Sequence, residues 1–389
     1  MKSIDNTERK SMSSAEKWGV YELRTSTGKN DLSASVLRIF ALLKRVAAIS
    51  NYNLGLLPQD VASHIIMATK DLVHDSDTLH QFMDLSFKNW AAAHEILNKQ
   101  LTKHAAKIAD SQGRKNVVVL LEEHVNLNQS SHDWFFSAIQ IFLSLEIRGA
   151  IFPWAEKLVN AARRQGDGSV EQVRVPAGRL VQFDLGDWAS QLAYATANLQ
   201  AAVADFATLD LAVPGKEKSD DTKSDFCVNC VSRLAGSTGS SFSISQKSMS
   251  PAKRSDLLFK LSAALTEYSN TLLQITERIR WQINEECRRS EGSRGATSIE
   301  REAIEKWHSE SRDFDTITAC CIQILANDAA IAATGKRGSL EEAFSIFTMA
   351  SYLLKSIGEL VQVNFRLEKY LFQDDVPESV DLMRWARHH

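Results

Sequence analysis

Residues 256–286, DLLFKLSAALTEYSNTLLQITERIRWQINEE, decide the fold. Leu257, Leu261, Leu265, Tyr268, Leu272, Ile275 and Ile279 recur at steps of three and four, which is the spacing of one face of an α-helix. Sustained over some thirty residues, such a seam would run about 45 Å at 1.5 Å per residue. That exceeds an ordinary globular helix and suits a helix-bundle contact.

Working outward, Thr316–Ala332 and Ser339–Tyr370 repeat the pattern, the second with Phe344, Phe347, Tyr352, Leu353, Ile357 and Leu360 on its apolar side. Upstream, Val36, Ile39, Leu43, Val46 and Ala47 mark another helical face. Asn51–Pro58 turns the chain, and Pro58 opens a further helix, where its missing N–H costs nothing. Ser86–Lys107, the apolar stretch from Trp134 and the segment from Leu185 also read as helices. Breaks fall at Gly166–Ser169, at Pro214–Ser224 and in the Ser/Gly-rich run Gly236–Ser250. Only Lys115–Leu121 (KNVVVLL) is strongly β-flavoured, with Val173–Val181 a short extended piece. Six prolines and 17 glycines in 389 residues fall below average usages of about 5% and 7%. The expected class is all-α, a bundle of unusually long helices.

Composition narrows function. Lys and Arg number 45 against 48 Asp and Glu, a net charge of −3, too balanced for a nucleic-acid-coating or membrane-surface protein. Trp134–Trp154 is interrupted by Glu146 and Arg148, so no membrane span is expected. Five cysteines form no secreted disulfide pattern, and Met1–Asn30 has no apolar signal core, so the expected location is cytoplasmic. Cys227 and Cys230 form a lone CxxC without a second pair, and Cys320 and Cys321 sit among apolar residues. No metal and no cofactor is expected. Phosphate-loop, GxSxG and HExxH motifs are missing from the sequence.

One polar cluster stands out: Asn126, Asn128, Gln129, Ser130, Ser131, His132 and Asp133, immediately before the apolar helix. Such side chains can present donors to an anion together with a helix N-terminus, or simply cap that helix. Both readings stay open on the residues alone.

HVNLNQSSHDWFFSA, residues 124–138, resembles the HVN-x-SQSSND-x-FPTA segment of the fumarase/aspartase superfamily. The likeness is colinear on both sides. WGVYELR (Trp18–Arg24) and ALLKRVAAISNYNLGLLP (Ala41–Pro58) precede it; the helix ending Ile279-Arg280-Trp281 and CIQILANDAAI (Cys321–Ile331) follow. The resemblance implies central helices that pack into a homotetramer, with composite sites eliminating an amine or hydroxyl from a small succinyl-type carboxylate. Polar Met1–Lys17 reads as a flexible arm; beyond it the expected organisation is an N-terminal helical domain at 18–130, a central bundle domain at 131–372 and a short tail at 373–389 without the small C-terminal domain usual in the family it resembles.

Measured against that family, much of the catalytic set is missing. Leu120, Leu121, Glu122 and Glu123 replace His-Pro-Asn-Asp, and Val170 stands where the catalytic His is expected, between Ser169 and Glu171. The loop that should carry a Ser and a Lys reads GATSIEREAIEKWHSES, with Glu302 in the Ser place and His308 in the Lys place. Its Thr297–Glu300 forms a capping box that favours helix. SMSPAK, Ser248–Lys253, precedes the central helix and so is no counterpart of that loop. The expected site is therefore His132, Glu302 and His308 as acid and base, with Asn126, Ser130, Ser131 and Ser169 binding substrate. The alternative is a non-catalytic tetrameric scaffold or ligand-binding pseudoenzyme.

Overall fold

A computed structural model of the chain describes residues 32–75, 90–113, 118–166, 172–174, 180–182, 186–211, 220–245, 248–291, 312–335 and 342–371. Its elements run α1 (Leu32–Asn53), α2 (Gln59–Leu72), α3 (Trp90–Ser111), a π-helical turn (Leu121–Val125), α4 (Ser131–Ala150), α5 (Phe152–Gly166), β1 (Gln172–Arg174) and β2 (Leu180–Gln182). There follow α6 (Gly186–Asp205), β3 (Thr208–Leu209), α7 (Asp220–Thr238), β4 (Ser243–Ile244), α8 (Pro251–Glu291), α9 (Arg312–Gly335) and α10 (Glu342–Leu371). β1 and β2 pair antiparallel, Val173 opposite Val181; β3 and β4 pair in parallel.

Two compact units emerge. In the first (residues 1–145, 204–258 and 334–351), α1 packs on α2 and α7, and α2 on α3. Its core is α1, buried continuously from Val36 to Ala48 apart from Arg38, together with Trp134, Phe135, Phe136, Ile139 and Phe142 of α4. Trp134 meets Phe226 of α7 at 6.0 Å between ring centres, and Phe135 stacks on Phe347 at 6.3 Å.

In the second unit (146–203, 259–333 and 352–389) the long helices are cross-linked by side chains. Asn198 of α6 donates to Glu267 of α8, Ser262 of α8 to Asp328 of α9, and Asn327 of α9 to Ser356 of α10 (3.1 Å). Tyr268 of α8 donates to Asn364 of α10 at 3.3 Å.

α8 is 41 residues long, exceeding the expected stretch at both ends. Its buried seam is Leu258, Leu261, Leu265, Tyr268, Leu272, Ile275 and Ile279, while Leu257 is half-buried. The steps are thus a regular three-four alternation, the heptad seam of a bundle, rather than one opening on Leu257. The expected β-stretch is also corrected: no strand forms over the described part of KNVVVLL, and Leu121 already opens the π-turn. Val118 is 62% exposed while Val119 is buried. The N–H of Leu120 is taken by His124 Nδ1 at 2.9 Å rather than by a neighbouring strand, so β propensity yields to a local turn.

Candidate functional site

The polar loop is built from the π-turn. The N–H of Val125 reaches back to the carbonyl of Leu120 (3.2 Å) and that of Asn126 to Leu121 (2.8 Å), a wide turn that swings the next residues inward. Asn128 then takes a left-handed backbone (φ 62°), which asparagine tolerates better than other non-glycine residues. Ser130 stands just before α4, its carbonyl accepting the N–H of Trp134 at 3.0 Å.

The amides of this loop are engaged with the first unit's own residues. Lys44 Nζ donates to Asn126 Oδ1 at 2.8 Å, and Asn126 Nδ2 donates to Glu122 Oε1 at 3.0 Å. Asn128 Nδ2 donates to Asn51 Oδ1 at 2.7 Å, while Asn51 Nδ2 donates to the Leu127 carbonyl at 3.0 Å. Gln129 Nε2 closes onto the Val125 carbonyl at 2.9 Å. Asn51, Asn126, Asn128 and Gln129 are all buried. Burial also pulls the Lys44 ammonium down to about 7, against the opposing pull of Glu122.

A second set of charges anchors the start of α4. Arg254, in the first turn of α8, pairs with Asp133 and also reaches Asp210 Oδ2 at 3.3 Å. Asp210 accepts the Met249 N–H at 2.6 Å, and its own carbonyl accepts Ser137 of α4 at 3.1 Å. Burial pushes the Asp210 carboxyl above the usual range, opposed by the Met249 N–H; Asp133 raises it further and Arg254 lowers it. SMSPAK therefore serves as the head of α8, with Ser250 Oγ accepting the Lys253 N–H at 3.3 Å.

No family model matches the sequence. It is 24% identical over 343 residues to a class II fumarate hydratase of Thermosynechococcus vestitus, spanning 83% of this chain and 72% of that protein. It is 22% identical over 370 residues to the class II fumarate hydratase of Thermus thermophilus, spanning 91% and 78%. In structure it resembles a class II fumarase of Schistosoma mansoni at TM-score 0.62, with 16% identity, over 98% of this chain and 82% of that one. A fumarate lyase/delta-crystallin protein of Brucella melitensis gives 0.64, with 17% identity, over 97% and 82%. The chain is similar to class II fumarate hydratases over most of its length and shares the fold of the fumarase and fumarate lyase structures.

Within this fumarase-like chain the expected site residues are distributed as follows. Asn126 is buried, with both ends of its amide engaged. Ser130 is half-buried at the loop's end. Ser131 and His132 occupy the first turn of α4; their side chains lie outside the described residues, as do Ser169, Val170, Glu302, His308 and the Thr297–Glu300 capping box. Among the described residues no group of three or more His, Cys, Asp or Glu is placed to hold a metal. Cys227 and Cys230 are buried, their thiols pushed up by burial to about 11 and about 12. Sequence reasoning did not single out Lys44, Asn51, Asp210 or Arg254. The one visible signal was Lys44-Arg45 inside the otherwise apolar run of α1.

Proposed function

We propose that this fumarase-like chain retains the superfamily's self-associating bundle while its ordinary fumarate-forming elimination is lost. The observation that carries this reading is the state of the surviving motif. Asn126, Asn128 and Gln129 direct their amides into the fold, and Glu122 and Glu123 place exposed acid on the adjoining turn. Two carboxylates there disfavour a dicarboxylate approaching that turn. Val170 at the expected histidine position has no proton to give or take.

Self-association as a homotetramer is supported by α9. Its inward face (Phe314, Ile317, Cys321, Ile324, Ile331) is buried, yet Ile322 is 56% and Leu325 38% exposed, with Ala326, Ala329 and Ala333 continuing the stripe. By length and composition this helix and Asp133–Asn160 could each cross a membrane. Asp313, Asn327 and Asp328 nevertheless tie α9 to α8 and α10, polar links that favour a protein partner over lipid. A second copy of the chain fits that stripe. Sedimentation should give a tetramer that Ile322→Glu shifts to smaller species; an unshifted tetramer would remove α9 from the interface.

A rebuilt lyase is the second reading, favoured by His132 in the first turn of α4 beside half-buried Ser130. His132, Glu302 and His308 would then exchange protons while Ser130, Ser131, Asn126 and Ser169 hold a small carboxylate, with no metal or cofactor. Ultraviolet detection of a fumarate-type double bond, over malate, aspartate, argininosuccinate and related succinyl compounds, separates the readings. The scaffold predicts no turnover by folded protein. Turnover that disappears in His132→Ala overturns it in favour of the rebuilt site.

A further inference from the structure

Lys44 sits on the inner side of the polar loop, in surroundings that suit a neutral amine better than an ammonium. It is 2% exposed, and among the described residues its contacts are Asn126 Oδ1 at 2.8 Å and the ring of Phe40, whose centre lies 5.2 Å from Nζ. A charged ammonium has three N–H groups to satisfy, and a single side-chain acceptor meets them there. Asn126 in turn donates to Glu122 Oε1 at 3.0 Å, and Glu122 is exposed. One buried amide thus stands between a buried amine and a surface carboxylate. The elements packed on α1 carry Glu122, Glu123 and His124 in the turn, Asp60, His64, Lys70 and Asp71 in α2, and Asp225, Cys227, Cys230 and Arg233 in α7, beside Arg38 and Arg45 of α1 itself. Among these described groups Glu122 is the one whose charge acts on Lys44, and burial outweighs its pull. The segment covering the amine is a wide π-turn followed by left-handed Asn128, joined to α1 through side-chain hydrogen bonds rather than a backbone ladder.

We propose that the Lys44 amine is a pH-governed latch on residues 120–130: when it takes up a proton, Asn126 is displaced, the turn lifts, and the ammonium reaches Glu122 and water directly. The apolar stem of lysine lets the charge move outward while its methylenes stay packed. In the closed form the loop's amides face the fold and the turn shows exposed acid. The open form replaces that acid with an ion pair and frees the Asn126 amide toward solvent. Opening moves the amine from a site where it titrates at about 7 to water, where it titrates near 10.4. Opening therefore takes up a proton, and falling pH favours it until the closed form is itself charged, below about 7. The latch concerns only which way the loop faces, so it stands whether or not the chain is catalytic.

Amide hydrogen exchange of the full chain, read by mass spectrometry on peptides spanning the turn, tests it. The reporting N–H groups are those of Val125, Asn126 and Gln129, bonded to the carbonyls of Leu120, Leu121 and Asn126. Corrected for the intrinsic exchange rate, the opening constant should fall about tenfold or more between about pH 7 and about pH 8.5. Peptides from the buried seam of α8 should stay far better protected at both pH values; equal protection would mean that the turn exchanges only through global unfolding, and would overturn the latch. Lys44→Met keeps the apolar stem without the titrating amine, so its opening constant should be low and flat across this window. Lys44→Arg cannot shed its proton, so it should be flat too, but as open at about pH 8.5 as the wild type is at about pH 7. A wild-type change under about threefold would overturn the proposal. So would the wild-type slope surviving in either variant, since another group, such as His124 with its bond from the Leu120 N–H, would then set the response.

Discussion

Helix α8 and the polar loop before α4 both bury polar side chains, and Thr276 of the helix and Asn128 of the loop do so in opposite ways. In α8, Ser262, Ser269 and Thr276 lie seven residues apart on the buried face beside the heptad seam. Thr276 spends its hydroxyl on its own helix, at the Leu272 carbonyl (2.6 Å). In the loop, Asn126 and Asn128 bond to Lys44 and Asn51, partners 82 and 77 residues away in sequence. Ser262 reaches across to Asp328 of α9, but Thr276 only decorates a helix that apolar burial already holds. The loop amides are themselves the connection between segments. A motif first read as a substrate grip therefore has a structural reason to persist, whatever becomes of catalysis.

The largest effect should come from Arg254, the cation between Asp133 and Asp210. Arg254→Leu leaves two buried carboxylates facing each other without it, and breaking such a pair costs about 3–5 kcal/mol. Urea unfolding should register that loss, whereas a change under about 1 kcal/mol would mean the network is dispensable. Arg254→Lys should recover part of it, since the charge survives while the fork geometry is lost.

Next comes pH. Lys44 is held at about 7 in the folded chain, whereas in an unfolded chain it titrates near 10.4. Between these values unfolding takes up a proton, so stability rises with pH, by about 1.4 kcal/mol per unit while the folded side chain is neutral. The gain is lost as pH falls through 7. From about pH 8 the unfolded cysteines ionise appreciably, while Cys227, Cys230 and Cys320 stay protonated when folded, pushed up to about 11, 12 and 12. That reverses the slope. Wild-type stability should climb from pH 7 to about 8 and turn over beyond it, and Lys44→Met should flatten the climb. An equal climb in the variant would show that another group drives it.

The same contrast explains what could be read beforehand. The long helices were legible because a three-four spacing of apolar residues is a local signal repeated many times, and in α8 it erred only by the choice of Leu257 over Leu258. The loop's position was legible from its density of amides and hydroxyls. The direction of those amides was not, because Lys44 and Asn51 reach it only through tertiary packing. KNVVVLL misled because β-branched residues favour a strand only where another strand can accept it, and here His124 caps the Leu120 N–H instead. Arg254 sat unread in SMSPAKR, as its partners Asp133 and Asp210 are 121 and 44 residues away.

The smallest effect offers the sharpest contrast between the two regions. Thr276→Val removes a hydroxyl whose acceptor, the Leu272 carbonyl, remains at the head of a helical turn, and it keeps a β-branched shape in the seam. The cost should stay within about 1 kcal/mol, of either sign. Asn128→Ala strips a buried amide from Asn51 and leaves a non-glycine residue at φ 62°, so its cost should be larger, about 1–3 kcal/mol. Asn128→Gly isolates the two contributions: it relieves the backbone strain but not the lost hydrogen bond, and should fall between Asn128→Ala and wild type. If the threonine in the helix proved as costly as the asparagine in the loop, a hydroxyl bonded only within its own helix would matter as much as an amide that joins two segments, and the contrast between Thr276 and Asn128 would fail.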